Sequence, residues 1–395
     1  MEHKEIINLL RETDPQRLDR LWNEADRTRR EQVGDAVHLR GLIEFSNHCR
    51  RMCGYCGLRA ENTSIVRYRM SQDEILAAAA DAHSLGYGTV VLQSGEDTGL
   101  DVQWMCELIE RIKHEMPLAV TLSLGERDES ELAAWREAGA DRYLLRFETS
   151  NRQLFDKIHP PRSGEFSDRV AILRTLDRLG YEVGSGVMIG IPGQTYEDLA
   201  RDIALFAELD LDMIGVGPYI AHPDTPLGKA SGEGSANGRL TRLSGSFALP
   251  DDGESVSNVD QVPNSEEMTY KVMALARLVC PGANIPSTTA LATLNKTDGR
   301  ELGLSRGANV IMPNVTPNKY RQLYEIYPDK ACLQETAQAC GFCIRRRIES
   351  IGRTFGAGRG DSANYRLRHG GRGQRTEDRG QKAEGRGQTV GIYKK

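Results

Sequence analysis

The stretch Cys49-Arg50-Arg51-Met52-Cys53-Gly54-Tyr55-Cys56 carries three cysteines, with three residues between the first pair and two between the second. Three thiolates leave one position open on a metal centre that usually takes four ligands, and open positions are where metal chemistry takes place. A zinc knuckle has similar spacing but needs a second half elsewhere in the chain. The stretch therefore predicts a catalytic iron–sulfur cluster, with half of a zinc site or three free thiols as the alternatives.

Strand and helix patterns alternate on both sides of this stretch. Eight strands with helices between them predict a parallel α/β barrel of the (βα)8, or TIM, type, with an open doubly wound sheet as the alternative. No Gly-x-Gly-x-x-Gly follows the first strand, which argues against a dinucleotide-binding fold. The strand-like runs are residues 37–45, 89–93, 119–124, 143–146, 183–191, 213–219, 284–289 and 309–312.

In such a barrel the catalytic groups gather at the carboxyl ends of the strands, where the cysteine stretch begins. The second strand ends in Ser94-Gly95-Glu96, in which glycine allows a close ligand approach and the carboxylate can accept from an ammonium group. Alternation on the third strand directs Thr121 and Ser123 into the barrel, where each needs a hydrogen-bonding partner. These residues predict a polar ligand at this end of the barrel.

The fourth strand places Arg146 and Glu148 on one face by the same alternation. The two side chains can simply pair. Alternatively, Glu148 binds the hydroxyl groups of a ligand and Arg146 binds a carboxylate, a bidentate contact that suits arginine. Arg169, at the start of the next helix, is a second candidate for a carboxylate.

Bulk properties exclude several classes of protein. The 395 residues carry a net charge of −5, which does not indicate a nucleic-acid partner. No apolar run is long enough for a membrane span, and the charged first 30 residues contain no signal peptide. We therefore expect a cytoplasmic monomer whose thiols stay reduced.

The composition divides the chain into four segments. Residues 1–36 read as N-terminal helices, and residues 37–330 as the barrel with a polar insertion loop at 228–265. Residues 331–353 read as a C-terminal helical extension. Residues 354–395 form a Gly/Arg tail with few apolar residues. We expect this tail to be disordered, and we favour a solvated tail without a fixed role over one that binds a partner.

A second group of cysteines, Cys332, Cys340 and Cys343, follows the barrel. A second iron–sulfur cluster, a zinc ion and a set of empty thiols all fit this spacing. We keep the three alternatives open.

Taken together, these residues resemble the [FeFe]-hydrogenase maturase family HydE, in the biotin synthase-like group of radical S-adenosylmethionine (SAM) enzymes. The resemblance runs from about residue 39 to residue 351. It is specific in Arg67-Tyr68-Arg69-Met70, in the run from Gly217-Pro218-Tyr219 to Thr225-Pro226-Leu227, and in residues 308–324. It implies a (βα)8 barrel that encloses SAM and a 4Fe-4S cluster.

The resemblance also implies roles for single residues. The cluster ligands would be Cys49, Cys53 and Cys56, and a second 2Fe-2S or 4Fe-4S cluster, dispensable in the family, would bind Cys332, Cys340 and Cys343. The SAM contacts would be Tyr55, Ser94, Gly95, Glu96, Glu148, Arg169, Met213, Met312 and Tyr324. The substrate-side residues would be Arg146, Thr121, Ser123, Thr288 and Thr289.

The implied reaction is the reductive cleavage of SAM to a 5′-deoxyadenosyl radical. This radical would act on a cysteine-bound iron carbonyl/cyanide precursor of the hydrogenase di-iron site. The partners would be that small iron complex, the other hydrogenase maturases and an electron donor. A lysine mutase that makes 3-methylornithine is the nearest alternative enzyme, and an iron–sulfur carrier without catalysis is the alternative outside enzymes.

Overall fold

The computed structural model describes residues 1–162, 166–230 and 260–369. Most of the polar insertion expected at 228–265 and the tail beyond residue 369 lie outside the described residues. The strands are β1 Ala36–Ser46, β2 Thr89–Ser94, β3 Ala119–Ser123, β4 Arg142–Leu144, β5 Glu182–Ser185, β6 Met188–Ile189, β7 Met213–Ile214, β8 Gly217–Pro218, β9 Val310–Ile311 and β10 Thr354–Phe355.

The strands form a closed parallel barrel. β1, β2, β3, β4, β5 and β7 pair in that order, and β9 pairs with the other edge of β1. Single parallel bridges from Met213 to Asn284 and from Pro286 to Val310 connect β7 through residues 284–286 to β9. The ring therefore has eight members, which confirms the predicted barrel.

Two of the predicted strands are interrupted. Residues 183–191 divide into β5 and β6, and residues 213–219 divide into β7 and β8, so that β6 and β8 pair as a separate two-stranded sheet. Gly186 lies at the first interruption with φ of 157°. A Cβ there would lie 1.8 Å from the carbonyl oxygen of Gly215, so only glycine allows this close backbone contact.

Helices surround the barrel, and several begin at capping residues that the sequence supplies. Ser71 and Glu74 form a capping box at one of them, and Thr195 and Asp198 form another. No helix in the described part of the chain is long and apolar enough to cross a membrane. The helices are α1 His3–Arg11, α2 Pro15–Val33, α3 Gln72–Ser84, α4 Val102–Glu115, α5 Glu129–Glu137, α6 Arg152–Ile158, α7 Arg169–Arg178, α8 Tyr196–Glu208, α9 Pro226–Ala230, α10 Glu266–Val279, α11 Thr289–Leu294, α12 Gly299–Leu304, α13 Asn318–Arg321 and α14 Ala337–Ser350.

The amino-terminal end of the barrel is closed by the C-terminal segment. β10 pairs with the start of β1, and residues 363–369 are helical, so this part of the expected disordered tail is ordered. Between them, Asp361 forms an ion pair with Arg142, which also pairs with Glu182. The Ser362 backbone N–H donates to Glu182 Oε1 at 2.9 Å. Composition did not indicate this order, because the segment is held by polar contacts with buried barrel residues and not by an apolar face.

Candidate functional site

The loop with the first three cysteines follows β1 and lies at the carboxyl end of the barrel. Its backbone is hydrogen-bonded to three other segments that surround it, and these bonds hold the loop in position. The bonds are Arg50 N–H to the Glu96 carbonyl oxygen (2.9 Å), Gly54 N–H to the Ile158 carbonyl oxygen (2.8 Å) and Gly57 N–H to the Ile326 carbonyl oxygen (3.1 Å).

The three thiols of the loop are close enough to affect one another. Burial, followed by the neighbouring Cys56 and Cys49, raises the pKa of Cys53 well above its ordinary value. Burial and Cys49 raise the pKa of Cys56 to about 12. Because these thiols resist ionisation together, a cationic centre is needed to hold all three as thiolates.

Three cysteine thiols in one loop are a donor set of the kind that holds a cubane iron–sulfur cluster. In the part of the chain that the structure describes, no three His, Cys, Asp or Glu side chains surround one point as ligands of a metal ion. A cubane does not require this, since its irons lie at separate corners and each takes one thiolate. Cys49, Cys53 and Cys56 can therefore hold three irons and leave the fourth open.

Gly95 and Glu96 lie directly against this loop. A Cβ on Gly95 would lie 2.3 Å from the His48 carbonyl oxygen, so the loop and the end of β2 require glycine here. Glu96 Oε1 accepts ion pairs from Arg50 and Arg51, each at 2.7 Å, and Ser94 donates its hydroxyl to the Gly95 carbonyl oxygen. The predicted ammonium acceptor thus lies at the site, with its carboxylate held by arginines.

Glu148 occupies a strained position beside the loop. Its φ of 63° lies in the left-handed region, which a residue with a side chain rarely adopts and which is often found at functional sites. The Tyr55 hydroxyl lies 3.4 Å from Glu148 Oε1, and an Arg146 nitrogen lies 3.0 Å from Glu148 Oε2. The structure therefore brings Tyr55, Arg146 and Glu148 together, and it includes the Arg–Glu pairing foreseen as an alternative.

Arg169 connects the same site to an acidic residue that sequence reasoning missed. Its Nε donates to Glu126 Oε1 at 2.9 Å, and another guanidinium nitrogen donates to the Arg146 carbonyl oxygen at 2.7 Å. Burial opposes the charge, but Tyr55, Glu126 and Glu148 raise the pKa of Arg169 further. The guanidinium is thus a buried, permanent cation at the carboxyl end of the barrel.

His159 is a second residue that sequence reasoning missed. It follows α6, is almost fully buried, and places one ring nitrogen 3.3 Å from Cys53 Sγ and the other 2.8 Å from the Tyr55 hydroxyl. Burial, Arg169 and Arg51 lower the pKa of His159 well below its ordinary value, which favours the neutral ring. The only sequence signal was its place after an apolar helix and before two prolines, which is weak.

The substrate-side residues lie on different parts of the barrel. Thr121 is fully buried on β3 and its hydroxyl has no hydrogen-bonding partner, as expected of a group that meets a ligand. Ser123 ends the same strand and is half-buried. Thr288 instead caps α11 through the Leu291 N–H, and Thr289 begins that helix.

The remaining predicted SAM contacts do not all lie together. Tyr324 is buried and its hydroxyl accepts from Gln93, which lies near the end of β2. Met312 is half-buried directly after β9. The sulfur of Met213 accepts from Arg40 at 2.9 Å, near the amino-terminal end of the barrel, and thus apart from Tyr55 and Glu148.

The second cysteine group brings two thiols together. Arg300 lies 3.5 Å from Cys332 Sγ, and Cys332 has a left-handed φ of 65°. A hydrogen bond with Cys340 and the charge of Arg300 lower the pKa of Cys332 to about 6, and the same contact with Cys332 raises that of Cys340. Cys343 is exposed on α14.

The comparisons with known proteins agree with this geometry. The family model of the radical SAM superfamily matches residues 43–206, which include the cysteine loop, Glu148 and Arg169. The [FeFe] hydrogenase maturase subunit HydE of Thermotoga maritima is 46% identical over 343 residues, which cover 86% of this chain and 88% of that protein. The chain belongs to the HydE family of radical SAM enzymes. This confirms the family expected from the sequence, and the family implies a 4Fe-4S cluster and SAM.

More distant relatives share the fold with this HydE family member. The 3-methylornithine synthase of Methanosarcina acetivorans is 26% identical over 296 residues, which cover 74% of each chain. The crystal structure of methylornithine synthase (PylB) superimposes with a TM-score of 0.72 at 26% identity, covering 90% of this chain and 94% of that one.

Proposed function

We propose that the protein is a radical SAM enzyme of [FeFe]-hydrogenase maturation. The observation that supports this most strongly is the 46% identity to a HydE maturase over most of both chains, on a barrel whose carboxyl end holds a loop with three cysteine residues. When bound, the cluster supplies the electron that cleaves SAM into methionine and a 5′-deoxyadenosyl radical. Cys49, Cys53 and Cys56 would hold the cluster.

The other residues of the site would position SAM. Glu148, held in a strained backbone conformation, would accept hydrogen bonds from the ribose hydroxyls, and Tyr55 would border the adenine. Glu96 would accept from the methionine ammonium, and the permanent charge of Arg169 would stabilise the carboxylate. On binding, Glu96 and Arg169 would exchange contacts with Arg50 and Glu126 for contacts with SAM.

The substrate we propose is a cysteine-bound iron complex that carries carbonyl and cyanide ligands. The unpartnered hydroxyl of Thr121 and the partly unpartnered guanidinium of Arg146 are suited to polar, anionic groups inside the barrel. Other hydrogenase maturases would supply or receive the complex, and a one-electron donor would reduce the cluster.

The experiment is product analysis by mass spectrometry on anaerobically reconstituted, reduced protein. The protein is incubated with SAM and either the iron–cysteine complex or lysine. Adenosyl carbon on the cysteine sulfur is the expected result. A rearranged lysine would instead favour a methylornithine synthase, an alternative that the fold shared with PylB supports. Absence of SAM cleavage would favour an iron–sulfur carrier.

Two cysteine variants complete the experiment. Cys49→Ala should abolish SAM cleavage, because the cluster loses one of three protein ligands; retained cleavage would contradict the ligand assignment. Cys340→Ala should leave cleavage largely intact, because Cys340 lies on α14 and not in the cysteine loop that follows β1. Iron analysis of the same samples reports whether Cys332, Cys340 and Cys343 bind a second cluster.

A further inference from the structure

A buried imidazole lies between a cysteine ligand of the cluster and the residues proposed to hold SAM. His159 Nδ1 is 3.3 Å from Cys53 Sγ, whereas Nε2 is 4.0 Å from that sulfur and 2.8 Å from the Tyr55 hydroxyl. Tyr55 in turn lies 3.4 Å from Glu148 Oε1. The four side chains form a row of close polar contacts from the cluster loop to β4. The Tyr55 hydroxyl has one proton to donate, either to Nε2 or to Glu148, and Nε2 is the nearer of the two acceptors.

The position of the ring is fixed by its neighbours. The Phe155 ring stacks on one face of His159 at 4.9 Å between centroids and 12° between planes. The Tyr55 ring meets it edge-on at 5.4 Å. Because the imidazole cannot turn freely between these rings, the contact with the Cys53 sulfur is a stable feature of the fold.

A neutral imidazole carries one N–H, so the two neighbours decide which nitrogen bears it. If the Tyr55 hydroxyl donates to Nε2, the proton lies on Nδ1 and points at Cys53. In the other tautomer Nδ1 accepts from Arg169, 3.4 Å away, and the sulfur receives nothing from the ring. A metal-bound thiolate is a charged acceptor, and this favours the first tautomer.

We propose that His159 donates its Nδ1–H to the Cys53 sulfur and thereby raises the reduction potential of the cluster, with Tyr55 holding the required tautomer. Hydrogen bonds to cluster sulfurs stabilise the reduced, more negative state. On this argument His159 is a positioning and tuning residue, because it acts through the Cys53 sulfur. The proposal rests on the assignment of Cys53 as a cluster ligand and not on the identity of the substrate.

The test is a redox titration of the reconstituted full-length protein, followed by electron paramagnetic resonance (EPR) without SAM or substrate. His159→Leu removes the donor at similar volume. We expect at least a tenfold lower ratio of reduced to oxidised cluster at a fixed potential, equivalent to a decrease of 59 mV for a one-electron couple. His159→Asn keeps an N–H near the position of Nδ1 and should stay within about threefold of the wild type.

Two further variants separate the hydrogen bond from packing. Phe155→Leu disturbs the stacking but keeps the donor, and its potential should match that of the wild type. Tyr55→Phe removes the hydroxyl that keeps the His159 proton on Nδ1. It should lower the reduction potential, as His159→Leu does, but by a smaller amount. All samples are compared at equal iron content.

Defined outcomes would overturn the proposal. A fully loaded His159→Leu protein with the wild-type potential would do so. A shift of equal size in Phe155→Leu would do so too, because packing would then be the cause. If His159→Leu fails to bind the cluster, Tyr55→Phe decides, and an unchanged potential in that variant refutes the proposal.

Discussion

Two buried threonines of the barrel differ in what their hydroxyl groups contact. Thr89, on β2, donates to the Arg359 carbonyl oxygen at 2.8 Å and accepts from Arg142 at 3.0 Å. Thr121, on the neighbouring strand β3, is equally buried and its hydroxyl contacts no donor or acceptor. A polar group without a partner is costly inside a protein unless a ligand provides one. This difference is the reason that we assign Thr89 a structural role and propose Thr121 as a substrate contact.

We predict opposite effects of the same substitution at these two positions. Thr121→Val should raise the free energy of unfolding by about 1 kcal/mol and lower substrate-dependent turnover, because it removes an unpartnered hydroxyl. Thr89→Val should lower the free energy of unfolding by about 1 to 3 kcal/mol, because two partners lose their hydrogen bond. Denaturant unfolding followed by circular dichroism measures both. Equal destabilisation by the two variants would contradict the assignment of Thr121.

Single residues also show where sequence reasoning reaches its limit. Thr121 and Arg146 could be placed by the alternation of a strand, because side-chain direction follows from position along it. His159 and Glu126 could not, since their roles depend on contacts between segments distant in the chain. Met213 was predicted from the family resemblance alone, and the contact of its sulfur with Arg40 could not be predicted, because it too depends on packing between distant segments.

At the scale of elements, the cysteine loop and the end of β2 fit together through a glycine contact. A Cβ on Gly95 would lie 2.3 Å from the His48 carbonyl oxygen and 2.8 Å from Cys49 Cβ. On Gly54, within the loop itself, the nearest atom to a Cβ would be Leu227 Cγ at 3.5 Å, an ordinary contact. The structure therefore has room for a methyl group at Gly54 and not at Gly95.

We expect Gly95→Ala to impair cluster binding, because the added methyl group must displace the loop at Cys49. Gly54→Ala is the matched control and should bind iron as the wild type does. Iron and sulfide content after anaerobic reconstitution, with the cluster absorbance, measures the effect. Full cluster content in Gly95→Ala would show that the loop can move without loss of its ligands.

A second element-scale contact makes stability depend on pH. Asp202 of α8 accepts from the backbone and the hydroxyl of Ser150, and burial raises the pKa of its carboxyl to about 7. Its pKa in the unfolded chain is about 3.9, so between pH 4 and 7 the folded state binds more protons. The contribution of Asp202 to stability is therefore full below about pH 4 and is lost as the pH rises through 7.

The variant Asp202→Asn should remove this pH dependence. Relative to the wild type, its free energy of unfolding should increase from pH 4.5 to pH 7.5, by on the order of 1.4 kcal/mol for each unit of pKa shift. Urea unfolding at several pH values gives the difference between the two proteins. Parallel curves for the variant and the wild type would show that the carboxyl of Asp202 ionises in the folded state as it does in the unfolded chain.

Much of the element pattern could be predicted, and the exceptions have physical causes. All eight barrel positions were predicted, because buried parallel strands form continuous apolar runs between amphipathic helices. The interruption between β5 and β6 was not predicted, since it depends on the approach of Gly186 to Gly215 across the sheet. The ordered segment after residue 353 was not predicted either, because polar residues order it by pairing with charges in the barrel.

For the whole molecule, the two ends of the barrel have different tasks. The carboxyl end carries the cysteine loop and the row from Cys53 to Glu148, where we propose that the chemistry takes place. The other end holds buried arginines that need partners from the C-terminal segment: Arg40 donates to the Gly360 carbonyl oxygen at 3.1 Å, and Arg142 pairs with Asp361. A barrel that directs a radical inside must be closed at the end opposite its opening, and the C-terminal segment provides this closure.

Removal of the C-terminal segment should therefore destabilise the whole barrel. A chain that ends at Arg353 removes the Gly360 carbonyl oxygen from Arg40 and Asp361 from Arg142, which keeps only Glu182 as an ion-pair partner. Loss of one partner from a buried ion pair costs about 3 to 5 kcal/mol. A chain that ends at residue 369 keeps all of these contacts and is the matched control. We expect the shorter chain to unfold at a clearly lower temperature than the control, measured by differential scanning fluorimetry. If the shorter chain cannot be purified, Asp361→Asn removes only the charge paired with Arg142 and should lower the unfolding temperature in the same direction. Wild-type stability in both variants would show that the barrel closes without its C-terminal segment.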